Sequence, residues 1–207
     1  MGLHVGLTGG LASGKSFVGK ILAELGCFVI RADELGHQVM APDGEIYDAV
    51  IREFGREILN PDGTIDRRRL AAIVFSDPAL LARQSALVHP AVRARAGSLA
   101  GAYFEEHPDG IAVTEAAILI ETGRYKDFAR LIVAVCRPEQ QIERAMARDQ
   151  LSRQEVLDRL QRQMPLDEKV KYADYVVDTS GPKEQTGEQT QAVYESLRGL
   201  QRTAGTP

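Results

Sequence analysis

The sequence predicts an α/β fold: a parallel five-stranded sheet flanked by helices and interrupted by an all-helical insert. Three observations carry that expectation. Five short apolar runs, Leu3 to Leu7, Cys27 to Ile30, Ile111 to Thr114, Leu131 to Cys136 and Tyr175 to Val177, have the length of buried strands, and the crossovers between them are long enough for parallel pairing. The stretch from Asp33 to Pro108 holds only helical patterns. Between the first two runs stands GGLASGKS, Gly9 to Ser16, a glycine-rich loop placed where a strand turns into a helix.

Taken in order, Leu3 to Leu7 is the first strand. Ser16 to Leu25 follows as a helix, because Phe17, Ile21, Leu22 and Leu25 recur on one face and Gly26 stops the pattern. Cys27 to Ile30 completes the opening of a βαβ unit. Five helical patterns fill the insert: Glu34 to Met40, Ile46 to Phe54, Arg67 to Phe75, Ala79 to Val88 and Val92 to Phe104. His89 before Pro90 is expected to end one helix and begin the next, since a residue preceding proline is pushed out of helical geometry. NPDGT, Asn60 to Thr64, reads as a turn, and Asp66 suits the N-cap of the helix that follows. Glu139 to Asp149, Arg153 to Met164 and Gln189 to Leu200 complete the helices, with Ser152 and Glu155 in capping-box spacing. The tail after Arg202 is expected to fray.

Composition excludes several classes. A chain of 207 residues, 44% hydrophobic and 26% charged, can bury a sizeable core, or a main domain with a smaller lobe. With a net charge of -4 and no basic tail, nucleic acid is not expected as a partner, whereas local arginine clusters suit a phosphorylated small molecule. Cys27 and Cys136 lie far apart in apolar runs, which reads as two buried, reduced thiols. No basic leader and no membrane-length apolar run is found, so a cytoplasmic location is expected and a membrane partner is not. Oligomeric state is not legible.

GGLASGKS fits G-x-x-x-x-G-K-[ST] with Gly9, Gly14, Lys15 and Ser16 in register. In that reading, backbone N–H groups and the dipole of the following helix surround the phosphates of a nucleotide, Lys15 reaches the β and γ phosphates, and Ser16 ligates Mg²⁺. A glycine-rich turn with an exposed lysine is the plainer account. Asp33 follows the second strand, and ligands of open α/β sheets bind beyond the carboxyl ends of strands. A carboxylate there suits a general base toward an attacking hydroxyl, and equally a helix N-cap. Arg144 and Arg148, four apart, share a helix face and suit either a clamp on phosphoryl charge or surface pairs with Glu143 and Asp149. His89 reads as structural or capping, and His4, His37 and His107 have no stronger case. The chain lacks N-K-x-D and L-S-G-G-Q, and GIAVTEAA lacks the terminal Asp-Glu of hydrolytic motors, so a small phosphotransferase fits better. A kinase of another small alcohol and a nucleotide-binding switch are the competing readings.

The chain also resembles the dephospho-CoA kinase family, P-loop enzymes of the last step of coenzyme A synthesis. The resemblance rests on LTGGLASGKS (Leu7 to Ser16), RADELGHQV (Arg31 to Val39), ILNPDGTIDRRRLAAIVFSDP (Ile58 to Pro78), LVHPAVR (Leu87 to Arg93), EAAILIE ending at Glu121, and the stretch from Gln141 to Gly181. It implies a nucleotide-binding core at 1–32 and 108–207, with a lid near 138–165, and a helical acceptor lobe at 33–107. It implies ATP and dephospho-CoA as substrates and Mg²⁺ as cofactor. By resemblance, ATP lies on Gly9, Gly10, Leu11, Ala12, Ser13, Gly14, Lys15, Ser16, Phe17 and Arg144, with Ser16 on the metal. Asp33 is then the base toward the ribose 3′-hydroxyl, Lys15 and Arg148 act on the phosphoryl group, and Thr8, Asp33, Asp66, Arg67, His89 and Pro90 serve the acceptor. Three positions depart from the family pattern: Ala12 replaces a common glycine, Phe17 a threonine and Ala117 a proline. Ala12 is expected to keep a negative φ, because a Cβ penalises left-handed geometry.

Overall fold

The computed structural model describes residues 2–204. The chain divides into two compact units, one built from Met1–Ile30 and Ala100–Pro207, the other from Arg31–Leu99.

The first unit holds β1 (Leu3–Gly9), α1 (Lys15–Glu24) and β2 (Phe28–Arg31), the last of which runs into the second unit at Arg31. The second unit continues with α2 (Ala32–Val39), α3 (Tyr47–Phe54), α4 (Arg67–Ser76) and most of α5 (Pro78–Glu106). The first unit resumes with β3 (Ile111–Glu115), β4 (Arg130–Val135), α6 (Pro138–Asp149), α7 (Arg153–Leu160), α8 (Leu166–Val170), β5 (Tyr175–Asp178) and α9 (Lys183–Ala204).

All five expected strands form, and they make one sheet of order β2-β3-β1-β4-β5. β1 pairs in parallel with β3, Leu7 opposite Glu115, and with β4, Gly9 opposite Ala134. A central strand buried on both faces must be apolar throughout, and Val5 and Leu7 on β1 and Ile132 and Val133 on β4 are all fully buried. Val18 and Leu22 of α1 pack with Val177 of β5 and Leu197 of α9 in that core.

The second unit has its own core of Val50, Phe54, Ile58, Ile65, Leu70 and Val74. The expected turn at Asn60 to Thr64 closes on itself, with Asn60 N donating to Thr64 O at 2.8 Å. Asp66 caps α4 as expected, accepting from Arg68 N at 2.9 Å and Arg69 N at 3.1 Å.

Three expectations need correction. His89 and Pro90 do not separate two helices: α5 runs unbroken through Pro90 for 29 residues. Apolar positions on both sides, from Leu87 to Val92 and Ala96, stay on a packed face, and that packing outweighs the lost N–H of one proline. The helix expected to reach Met164 stops at Leu160, and beyond it stands α8, which no expected element covers. Finally, α9 begins six residues earlier than Gln189 and continues to Ala204, past the point where fraying was expected; residues 205–207 lie outside the described range. Among the described residues, no helix is long and apolar enough to cross a membrane.

Candidate active site

β1 delivers its last residue, Gly9, directly into the loop, and α1 starts at Lys15 with its N-terminal amides open toward that loop. Gly14 adopts φ 86°, and a Cβ there would lie 2.6 Å from Thr179 Oγ1 and 2.8 Å from Thr179 Cγ2. Glycine is therefore required on two counts, conformation and space. Ala12 contradicts its expectation: its φ is +54°, in the left-handed region that a Cβ disfavours. The Gly10 to Ser13 turn, closed by Ser13 N to Gly10 O at 3.3 Å, and the bond from Leu11 N to Gln163 Oε1 at 2.8 Å hold the neighbouring residues in place.

The functional side chains of the loop divide by exposure. Lys15 is 9% exposed, its stem packed at the start of α1, while Ser16 is exposed. The Ser16 hydroxyl donates to Glu115 Oε1 at 2.5 Å. Glu115 ends β3 and is 5% exposed. No Asp-Glu pair marks it in the sequence; its signal there is a lone acid terminating the apolar run Ile111 to Thr114. Thr8, buried at the end of β1, donates its hydroxyl to Ala117 O at 3.2 Å, so within this unit it serves the segment after β3.

A cavity of about 500 Å³ opens over the loop, lined by Ala12 to Phe17 together with Arg144, Ala147 and Arg148. The structure thus brings the loop and both arginines of α6 to one pocket. Of the two, only Arg148 takes a surface partner that the sequence suggests. Arg144 donates to Thr179 Oγ1 at 2.9 Å and Thr179 O at 2.7 Å, not to Glu143, and the Thr179 hydroxyl donates in turn to Ser13 O at 3.0 Å. Arg148 does take Asp149, in a bidentate contact of 2.7 and 2.9 Å. That hydrogen bonding, helped by the charges of Arg148 and Arg159, holds the Asp149 carboxyl below the usual carboxylate range against the opposing effect of burial. Phe17 faces the same cavity, with Lys183 Nζ 5.9 Å from its ring centroid.

The second unit holds the remaining candidates. Asp33 is not the N-cap of α2: Arg31 occupies that position, and Asp33 lies exposed in the first helical turn, where the helix dipole favours a carboxylate. Arg67 Nη1 lies 3.2 Å from His37 Nδ1. Burial and the Arg67 charge push the His37 imidazole below its ordinary range, while Asp33 and Glu34 push it up. Electrostatics therefore place Asp33, His37 and Arg67 in one neighbourhood of this unit. The sequence assigned His37 nothing, although its i+4 spacing from Asp33 puts both on one helix face. Asp66 is committed to its cap and to Arg69 Nε at 3.1 Å. His89 is half-buried and Pro90 exposed, both on α5, against which α2 packs closely enough that a Cβ at Gly36 would touch Val88 and Val92.

Comparison with known proteins places this geometry among relatives. Residues 3–185 match the family model described as dephospho-CoA kinase. The dephospho-CoA kinase of Aquifex aeolicus is 39% identical over 94% of this chain and 97% of its own length. A crystal structure of TT1252 from Thermus thermophilus superposes with a TM-score of 0.79 at 33% identity, covering 94% of this chain and 97% of that one. The dephospho-CoA kinase of Campylobacter jejuni shares the fold, with a TM-score of 0.64 at 23% identity over 95% of this chain and 97% of its own.

Proposed function

The chain belongs to the dephospho-CoA kinase family, and from that premise we propose which of its residues carry each part of the reaction. The activity is ATP-dependent phosphorylation of the 3′-hydroxyl of the ribose of dephospho-CoA, giving coenzyme A and ADP in the last step of coenzyme A synthesis. The observation that carries the assignment is the arrangement at the head of α1: a nearly buried Lys15, and a Ser16 hydroxyl directed onto an acid at the end of β3, beneath a cavity lined by two arginines.

ATP lies with its β and γ phosphates at the loop amides and the N-terminus of α1, where unpaired N–H groups and the helix dipole favour anionic oxygen. Lys15 neutralises the γ phosphate. Arg148 exchanges its bidentate contact with Asp149 for the phosphoryl oxygens, which offer the guanidinium the same paired acceptors. Arg144, held through Thr179, fixes the outer wall of the nucleotide pocket.

The donor set fits Mg²⁺, since the Ser16 hydroxyl and the Glu115 carboxylate offer hard oxygen and magnesium completes its shell with water and substrate phosphate. Ser16 would hold the ion directly and Glu115 would hold Ser16, and the ion would supply neutralisation of phosphate charge.

Asp33 accepts the proton of the 3′-hydroxyl as that oxygen attacks the γ phosphorus. One oxygen–phosphorus bond forms and the bond from the γ phosphorus to the β,γ-bridging oxygen breaks, leaving ADP. Arg67, Asp66, His89 and Pro90 belong to the acceptor side of this assignment. We place the reaction in the cytoplasm, consistent with two free, buried thiols.

The direct test is mass analysis after incubation with ATP, Mg²⁺ and a panel of acceptors comprising dephospho-CoA, shikimate and nucleoside monophosphates. Addition of one phosphoryl group to dephospho-CoA alone is the expected result. Transfer to another acceptor, or nucleotide binding without transfer, would overturn it.

A further inference from the structure

Three segments of the first unit meet at one ammonium group that the proposed chemistry leaves unused. Lys169 on α8 is fully buried. Its Nζ donates to Ala117 O at 2.6 Å and lies 2.8 Å from Glu121 Oε1. The same Glu121 oxygen accepts Met164 N–H at 3.0 Å, in the turn between α7 and α8. The same Ala117 carbonyl accepts the Thr8 hydroxyl from the end of β1. Glu115, which holds Ser16, stands two residues before Ala117. One residue before Met164, Gln163 Oε1 accepts the loop amide of Leu11.

Stability alone does not account for a charge here. Only the lysine of this pair is taken out of water, Glu121 keeping 22% of its side chain exposed, and such a pair gives back little more than the desolvation of its ammonium costs. The cost falls on the lysine: burial pushes the Lys169 ammonium below its ordinary range, Glu121 opposes that, and the nearby charge of Lys15 pushes it further down. The charges of Lys15 and Lys169 are thus near enough to repel one another at the back of a phosphate loop. A polyphosphate seated on Lys15 relieves their repulsion, so occupancy of the loop and integrity of this joint support each other.

We infer that Lys169, with Glu121, is a positioning residue that ties the return from α6 and α7 to the segment after β3, so that the Ser16–Glu115 contact and the α6 arginines are held in one arrangement for the nucleotide. It rests on the reading that Lys15 and Ser16 receive a nucleotide. Lys169 touches neither substrate; it acts through Ala117, Glu121 and, by way of the same segment, Glu115.

The experiment compares the wild type with Lys169→Met, Glu121→Gln and the double variant Lys169→Met/Glu121→Leu. kcat and KM for ATP are measured with dephospho-CoA, and the rise in Tm on adding ATP and Mg²⁺ is measured without acceptor. The expected result is a fall in kcat of about ten- to a hundredfold, the range typical of residues that orient metal-site groups, with a reduced nucleotide-induced rise in Tm. The double variant removes the charge together with its partner and should melt at or above the wild-type temperature, yet remain slow. Wild-type kcat and a full nucleotide-induced shift in the double variant would overturn the inference. If Lys169→Met fails to fold, Glu121→Gln decides by the same two readouts. A wild type that shows the thermal shift but does not phosphorylate dephospho-CoA would count against the proposed acceptor and leave the Lys169 result standing.

Discussion

Ser16 and Glu115 are joined by a 2.5 Å hydrogen bond across 99 residues of sequence. Parallel register explains the meeting: Leu7 on β1 lies opposite Glu115 on β3, so the strand that feeds the loop and the strand that ends in the acid finish side by side. Glu115→Gln keeps the size of the side chain and removes its charge. The Mg²⁺ concentration giving half-maximal activity should then rise by about tenfold, as for other residues that orient a metal ligand. A magnesium titration at saturating ATP checks this, and an unchanged midpoint would separate Glu115 from the metal.

Asp33 carries the strongest mechanistic claim. Asp33→Asn should lower turnover by at least about a hundredfold while leaving KM for ATP close to wild type, because the residue acts on the acceptor hydroxyl. Steady-state kinetics with dephospho-CoA measures both constants. Near-normal turnover would take the base role away from it.

Ala12 is held at a positive φ that glycine adopts without penalty. Ala12→Gly should therefore stabilise the protein by about 1 kcal/mol, the cost of left-handed alanine less the extra entropy of glycine in the unfolded chain. Urea denaturation would show a higher midpoint at unchanged slope. An unchanged or lower midpoint would mean that the loop relaxes the strain.

Stability should decline on mild acidification through His4. Its ring sits edge-on to Phe104 and Phe128, with Nε2 at 2.9 Å from Thr114 Oγ1. Burial pushes its pKa down, the Arg124 charge adds to this, and Asp127 opposes it. The unfolded chain therefore binds this proton more readily than the native one. Stability is full above the ordinary imidazole range and falls as pH drops through about 6.5. His37, also depressed, acts with the same sign. Tm measured between about pH 7.5 and pH 5 should fall, and His4→Gln should flatten the curve; an equal slope in the variant would assign the effect elsewhere.

The two thiols should be inert in the native protein. Burial pushes Cys27 up to about 12 against the opposing charge of Arg198, and burial raises Cys136 as well. Iodoacetamide at neutral pH should label neither until denaturant is added, since the thiolate is the reactive form. Rapid native labelling at either position would contradict that burial.

What the sequence disclosed, and what it withheld, follows from the range of the interactions. The central strands β1, β3 and β4 announced themselves because a buried parallel strand must be apolar on both faces, the half-exposed edge strands β2 and β5 as short apolar runs, and the phosphate loop because its glycines and lysine are contiguous. Pro90 misled because a local rule about proline was outweighed by packing on both sides of it. Ala12 carried no local sign of its left-handed backbone, since that conformation is imposed by the turn around it. Glu115 and His37 were findable, one as a lone acid closing an apolar run and the other one turn beyond Asp33. Gln163, Lys169 and Thr179 were not: their partners at Leu11, Ala117 and Ser13 lie 152, 52 and 166 residues away, and no periodicity reports such contacts.

Thr179 also bears on how the molecule comes into being. It props the Ser13 carbonyl, anchors Arg144 and fills the space beside Gly14. A ribosome emits this threonine 166 residues after Ser13. While the residues between them are being made, the loop lacks this prop and Arg144 its anchor, so the nucleotide pocket is completed only once the threonine has emerged.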